Sequence, residues 1–145
     1  MRVVVQRSKE ASCKVDGKIT GKIDKGMVLL VGFTEGDNED TIKYMVNKII
    51  NLRIFDDENG VMNKSINPED SGILSISQFT LYGDASKGNR PSYIKALSGD
   101  KAIKLYEYFN QELSKLIKVE TGVFGAEMEI SLINDGPITI LLEKE

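Results

Sequence analysis

The sequence contains no histidine and one cysteine, Cys13. Without histidine there can be no Ser-His-Asp or Cys-His catalysis, no imidazole-ligated zinc and no imidazole base near neutral pH. A single cysteine excludes an internal disulfide and a thiolate metal cluster. No apolar run approaches the ~20 residues of a membrane-spanning helix, and nothing at the amino end resembles a signal peptide, so a cytoplasmic protein fits best. An excess of positive charge is also missing, with 19 basic residues against 22 acidic ones. That argues against a protein coating long stretches of nucleic acid, but leaves room for a small footprint on one nucleic-acid end.

What remains is an ordinary globular composition in 145 residues, 41% apolar and 28% charged. That length predicts one domain, residues 1–145, burying roughly 70% of its unfolded surface.

The β-branched run Val3-Val4-Val5 signals a buried strand. Ala11, Cys13 and Val15 alternate with polar residues up to Asp16-Gly17, a hairpin signal, and Lys18 to Ile23 forms the returning arm. This places Cys13 on an inward face, as a small buried apolar residue. The continuous apolar run Met27 to Phe33 reads as a central strand covered on both faces. Asp37 or Asn38 then caps a helix whose core stripe is Ile42, Met45, Val46, Ile49 and Ile50. Arg53-Ile54-Phe55 reads as a short strand, and Asp56 to Gly60 as a solvated turn lacking the ligand ladder of a calcium loop.

From Ile73 to Tyr82 alternation predicts another strand, with Leu74, Ile76, Gln78, Thr80 and Tyr82 on one face. That face begins apolar and becomes polar, so its end either reaches solvent or lines a pocket. Gly83 to Pro91 is a loop by composition. Between Gly83 and Lys101 four basic residues (Lys87, Arg90, Lys95, Lys101) face two acidic ones, a solvated loop or a phosphate contact. A helix over roughly Asp100 to Ile117 carries Ala102, Tyr106, Phe109, Leu113, Leu116 and Ile117 on its core face. The last stretch predicts strands on either side of Gly136-Pro137, an ordinary turn or a rigid main-chain probe. The order of elements predicts a single α+β domain: a mixed, mostly antiparallel β-sheet curled towards a half-barrel, with two main helices.

Ser77-Gln78-Phe79-Thr80-Leu81-Tyr82 and Asn134-Asp135-Gly136-Pro137-Ile138-Thr139 resemble, in order and at this total length, the signatures of the D-aminoacyl-tRNA deacylases. The likeness extends to Val5-Gln6-Arg7, Arg53-Ile54-Phe55, Arg90-Pro91-Ser92-Tyr93 and Thr121 to Ala126. It implies hydrolysis of the ester joining a D-amino acid, or glycine, to tRNA, without metal or cofactor. It also implies a homodimer in which a cis Gly136-Pro137 pair enters the partner's active site. By the same resemblance Ser77, Gln78, Phe79 and Thr80 form the catalytic segment. Arg7 and Asn134 belong with the Gly-Pro pair, and Phe124 and Met128 with the pocket wall and adenosine contacts. Lys87, Arg90 and Lys95 are then candidates for tRNA phosphates. Two other readings stay open: an editing relative acting on an L-aminoacyl-tRNA, and a non-catalytic RNA-binding dimer.

Overall fold

In the computed structural model, which describes residues 1–145, the chain pairs along an unusually long first strand. That strand, β1, runs Arg2–Val15 and turns at Asp16 and Gly17, both with positive φ (51° and 76°), into β2, Lys18–Ile23. A turn of this hand suits the twist of the two arms. The strand β3, Gly26–Gly32, then pairs antiparallel with the first half of β1, from Ser8 against Gly26 to Arg2 against Gly32. Met27, Val28 and Leu29 are fully buried, as expected for a strand covered on both faces.

Helix α1, Glu39–Asn51, follows, capped by Asn38, whose side chain accepts from Thr41 N–H. Asp37 is used differently: its carboxylate meets the Met1 ammonium at 2.9 Å and accepts from Thr34 N–H at 2.8 Å. A small ribbon of β4, Phe55–Asp56, and β5, Met62–Lys64, brackets the acidic turn. There the amides of Asn59 and Val61 donate to the Asp57 carboxylate and hold its pKa below the usual value, the Val61 bond contributing most.

Strand β6, Gly72–Ser77, runs parallel to β3, and β7, Lys118–Thr121, parallel to β6. Helix α1 forms the first crossover and α2, Gly99–Ser114, the second. The sheet is thus mixed, as the order of elements predicts. Strand β8, Glu129–Glu143, returns antiparallel along the outer edge of β1. At the far side Thr20 Oγ1 donates to Thr121 O at 3.2 Å, drawing β2 towards β7 and bending the six-stranded sheet into a half-barrel.

Two apolar clusters result. The larger lies between the sheet and the two helices, around Val3, Leu29, Ile42, Ile49, Ile73, Phe109 and Leu113. The smaller fills the concave side, with Ala11, Cys13, Ile23, Val28, Leu74 and Ile76 buried and Met128, Ile130 and Leu132 packed against them. Cys13 is buried, as its place in the alternation implies.

The second helix ends earlier than its apolar stripe suggests. At Lys115 the backbone N–H reaches back to the carbonyls of Glu112 and Leu113, and the chain turns. Ile117 therefore enters the core while Leu116 faces solvent. No helix is long and apolar enough to cross a membrane. Phe109 is wholly enclosed, so Phe109→Ala should cost about 3–5 kcal/mol of stability, read from the denaturant midpoint.

Candidate functional site

The strand expected from Ile73 to Tyr82 stops at Ser77. Strand β7 pairs with β6 only as far as Ser75, and Gln78 N–H is taken at 2.7 Å by the carbonyl of Val31 near the end of β3. With backbone partners exhausted, the chain leaves the sheet at Gln78 and winds into a 3₁₀ turn, Phe79–Tyr82. Gly32 makes room for it: a methyl group there would stand 2.9 Å from Gln78 O and 3.2 Å from Leu81 Cβ. The alternating faces therefore end at Ser77, and Gln78 and Thr80 do not continue a stripe.

The turn's first internal bond runs from Leu81 N–H to Gln78 O, at 3.2 Å, leaving the amides of Phe79 and Thr80 without an acceptor in the chain. The Gln78 side-chain amide donates to Thr80 Oγ1. Beside this turn opens a cavity of about 630 Å³, lined by Ile76, Ser77, Gln78, Phe79, Tyr93, Phe124, Ala126, Met128 and Ile130 among others. Its walls are mostly apolar, with the polar groups gathered at the turn. Tyr93 meets Phe79 edge-on with ring centroids 5.2 Å apart, forming one lip. Phe124 leans on Tyr106, whose hydroxyl donates at 2.7 Å to Ser75 O and so ties that wall to β6.

A second group of expected residues gathers elsewhere. Gln6 on β1 faces Thr139 on β8, and Ser8 faces Asn134, so residues 135–138 bulge from the ladder. The two strands expected around Gly136-Pro137 are in fact one strand with a protruding interruption. The Gly136–Pro137 bond is cis, and both residues are exposed. Asn134 spans the bulge from beneath: its Oδ1 accepts from Ile138 N–H at 3.0 Å and its Nδ2 donates to Thr139 Oγ1 at 2.9 Å. Arg7, only 9% exposed, braces it from β1. Its Nε donates to Asp135 O at 3.1 Å, and its Nη1 to Ile54 O at 2.9 Å and Asp56 Oδ1 at 3.3 Å. A buried guanidinium with this many acceptors is a rigid support, since losing any of them leaves charge or carbonyl unpaired.

Within one chain, then, Ser77, Gln78, Phe79, Phe124 and Met128 share a cavity, with Thr80 next to it. Arg7, Asn134, Gly136 and Pro137 form a separate brace and bulge outside that cavity. Lys87, Arg90 and Lys95 are exposed and make no ion pair; the first two ride a loop pinched by the Asp84–Ser92 bridge. No group of three His, Cys, Asp or Glu side chains is placed to hold a metal ion. Among the residues given no site role from sequence are Tyr93, Ala126 and Ile130 in the cavity and Asp56 and Asp135 on Arg7. Alternation along 128–132 marks Ile130 as inward-facing, but nothing local reveals a contact between residues 7 and 56.

Comparison with known proteins gives consistent matches. The model of a family described as D-Tyr-tRNA(Tyr) deacylase matches residues 4–143. A protein of Bacillus cytotoxicus named D-aminoacyl-tRNA deacylase is 56% identical, with all of both chains covered. A solved structure described as c-Myc DNA Unwinding Element Binding Protein superposes with a TM-score of 0.93 at 38% identity, over 100% of this chain and 99% of that one. Another, described as a probable eukaryotic D-amino acid tRNA deacylase, reaches 0.81 over 97% of both chains. At 18% identity it shares the fold.

The turn also has a titrating reporter. Loss of solvent around Tyr82, aided by the negative charge of Asp37, raises its pKa from 10.0 to about 12. The folded chain thus keeps a proton that the unfolded chain has released, and the stability contributed below pH ~10 is lost as pH rises through ~12. Tyr82→Phe should flatten that part of the alkaline unfolding profile, leaving the contributions of Tyr106 and Tyr108, whose burial raises them too. An unchanged profile would count against this environment for Tyr82.

Proposed function

The chain belongs to the D-Tyr-tRNA(Tyr) deacylase family, and from that membership we propose that it hydrolyses the ester joining a D-amino acid, or glycine, to tRNA. It is thus a hydrolase, a D-aminoacyl-tRNA deacylase. The observation that carries the reading is its full-length likeness to a D-aminoacyl-tRNA deacylase. The cavity beside the Ser77–Thr80 segment agrees with it.

An aminoacyl ester is already activated, so a site for its hydrolysis needs orientation, a placed water and donors for the developing oxyanion. The free amides of Phe79 and Thr80 are suitable donors, with Gln78 beside them. The terminal 2′-hydroxyl of the tRNA helps to activate the water, which relieves the chain of supplying an imidazole. Thr80 positions the substrate: its hydroxyl is engaged by the Gln78 amide and has no adjacent base to make it a nucleophile. Phe124 and Met128 contribute apolar wall and adenosine contact, and Lys87, Arg90 and Lys95 meet backbone phosphates. Reading a single-stranded acceptor end requires few basic contacts, in keeping with the net charge of −3. The catalysis takes place in the cytoplasm.

Chirality is selected by exclusion. The exposed Gly136-Pro137 bulge of one subunit enters the cavity of a second, where fixed main-chain carbonyls beside the α-carbon leave space for hydrogen and drive out an L side chain. Glycine passes this test. Supporting a site completed in trans, the bulge lies outside its own chain's cavity and is held from below by Arg7 and Asn134. A second reading, nucleic-acid binding without turnover, is favoured by the name of the relative described as a DNA unwinding element binding protein.

Deacylation of matched D-, L- and glycyl-tRNAs tests both readings. We expect the D-aminoacyl and glycyl esters to be cleaved and the L-aminoacyl ester spared; ester half-lives unchanged by the protein would favour binding alone. Thr80→Ala should keep most activity, whereas abolished turnover in a folded protein would make Thr80 the nucleophile. Gly136→Ala should slow the reaction roughly a hundredfold, the scale of a 1 Å misplacement. Gly136 holds φ at +128°, and an added Cβ would stand 2.8 Å from Ile138 Cγ1. Sedimentation should give a dimer, and a fully active monomer would contradict a shared site.

A further inference from the structure

The Phe79–Tyr82 turn is attached to the sheet at its first end by the bond from Gln78 N–H to Val31 O. Its other end meets the start of the chain. Arg2 Nη1 donates at 2.8 Å to Leu81 O, and Arg2 is the one side chain outside the turn that donates to the turn's backbone. Its guanidinium lies over the ring of Tyr82, 4.5 Å from the centroid. On the side away from the turn, Nε meets Glu143 Oε2 at 3.5 Å. These contacts follow from register: Arg2 is opposite Gly32 on β3, which is packed under the turn, and opposite Glu143 on β8.

A planar guanidinium suits this position because its N–H groups point in fixed directions within one plane. One edge reaches a carbonyl, the other a carboxylate, and the flat face rests on an aromatic ring. The contact to Leu81 matters for the turn because Leu81 also closes it, through its own N–H to Gln78 O. With its N–H bound to Gln78 and its carbonyl to Arg2, Leu81 is restrained on both of its peptide units, and with it the pitch of the turn and the direction of the Phe79 and Thr80 amides. Arg2 does not line the cavity.

We propose that Arg2 is a positioning residue for ester hydrolysis, clamping the Leu81 carbonyl and Tyr82 ring so that the Phe79 and Thr80 amides keep one orientation towards the bound ester. The role rests on the deacylase reading of the turn. It requires that Arg2 affect the reaction step and not the binding of tRNA, and that it affect the order of the turn even when no substrate is present.

Two readouts on Arg2→Met and Arg2→Lys test it. Methionine keeps much of the length and apolar stem but has no donor or charge; lysine keeps a charge and a donor without the fork. For Arg2→Met, kcat on D-tyrosyl-tRNA should fall about tenfold with KM unchanged, and Arg2→Lys should recover part of the loss. In the free protein, amide exchange at Leu81 should quicken about tenfold in Arg2→Met while exchange in the core strands keeps its wild-type rate. Wild-type kcat in Arg2→Met, a loss confined to KM, or unaltered Leu81 exchange would each overturn the proposal. If core exchange quickens equally, Arg2 is a general stabiliser and the proposal also fails. If the wild type cleaves no ester while Leu81 exchange still responds to Arg2→Met, the deacylase reading fails and the clamp on the turn stands.

Discussion

From Arg2 to Ser8, β1 runs between β3 and β8, and from Ala11 to Lys14 it runs between β2 and β8. A strand with hydrogen-bonded neighbours on both edges cannot slip in register without breaking both ladders and exchanging its buried and exposed faces. That constraint sets the position of both candidate groups, the cavity turn and the bulge. Strand β3 ends where its Val31 carbonyl captures Gln78, and β8 bulges where Arg7 of β1 reaches Asp135. The cavity turn and the exposed bulge are therefore built on opposite edges of one strand.

The two groups are stiffened by different chemistry. The turn is held mostly by main-chain bonds and by the close approach that Gly32 allows. The bulge is held by side chains: Asn134 substitutes for missing ladder partners, and the Arg7 guanidinium collects carbonyl and carboxylate oxygens. Side-chain bracing of this kind is needed because residues 135–138 have left the ladder. Backbone groups outside a sheet must find partners individually.

Much of the framework could be read in the sequence because its signals are local. Asp16-Gly17 supplies the positive φ values of a tight hairpin, Asn38 and Thr41 bond reciprocally as a helix cap, and the spacing from Ile42 to Ile49 marks a buried face. Two of the three misreadings share a different cause. Alternation runs on through Phe79 and Leu81, yet the strand stops because no neighbour continues beside it. Gly-Pro marks a break in β8, yet the chain resumes in line because β1 pairs with both halves. Leu116 keeps helical spacing, yet lies past the last turn. In the first two cases the deciding partner is distant in sequence; in the third the helix closes on its own last carbonyls. The candidate site was legible as two motifs; the contacts made by Arg2, Asp56 and Asp135 were not, since they exist only once the sheet has formed.

The free donors of the Phe79–Tyr82 turn belong to the peptide backbone. A backbone N–H does not ionise in the physiological pH range, and replacing the attached side chain leaves it in place unless the newcomer is proline. Drift at these positions would therefore reshape the walls of the cavity before it silenced the donors. What inheritance must preserve here is the path taken by the chain, an attribute spread over many distant residues.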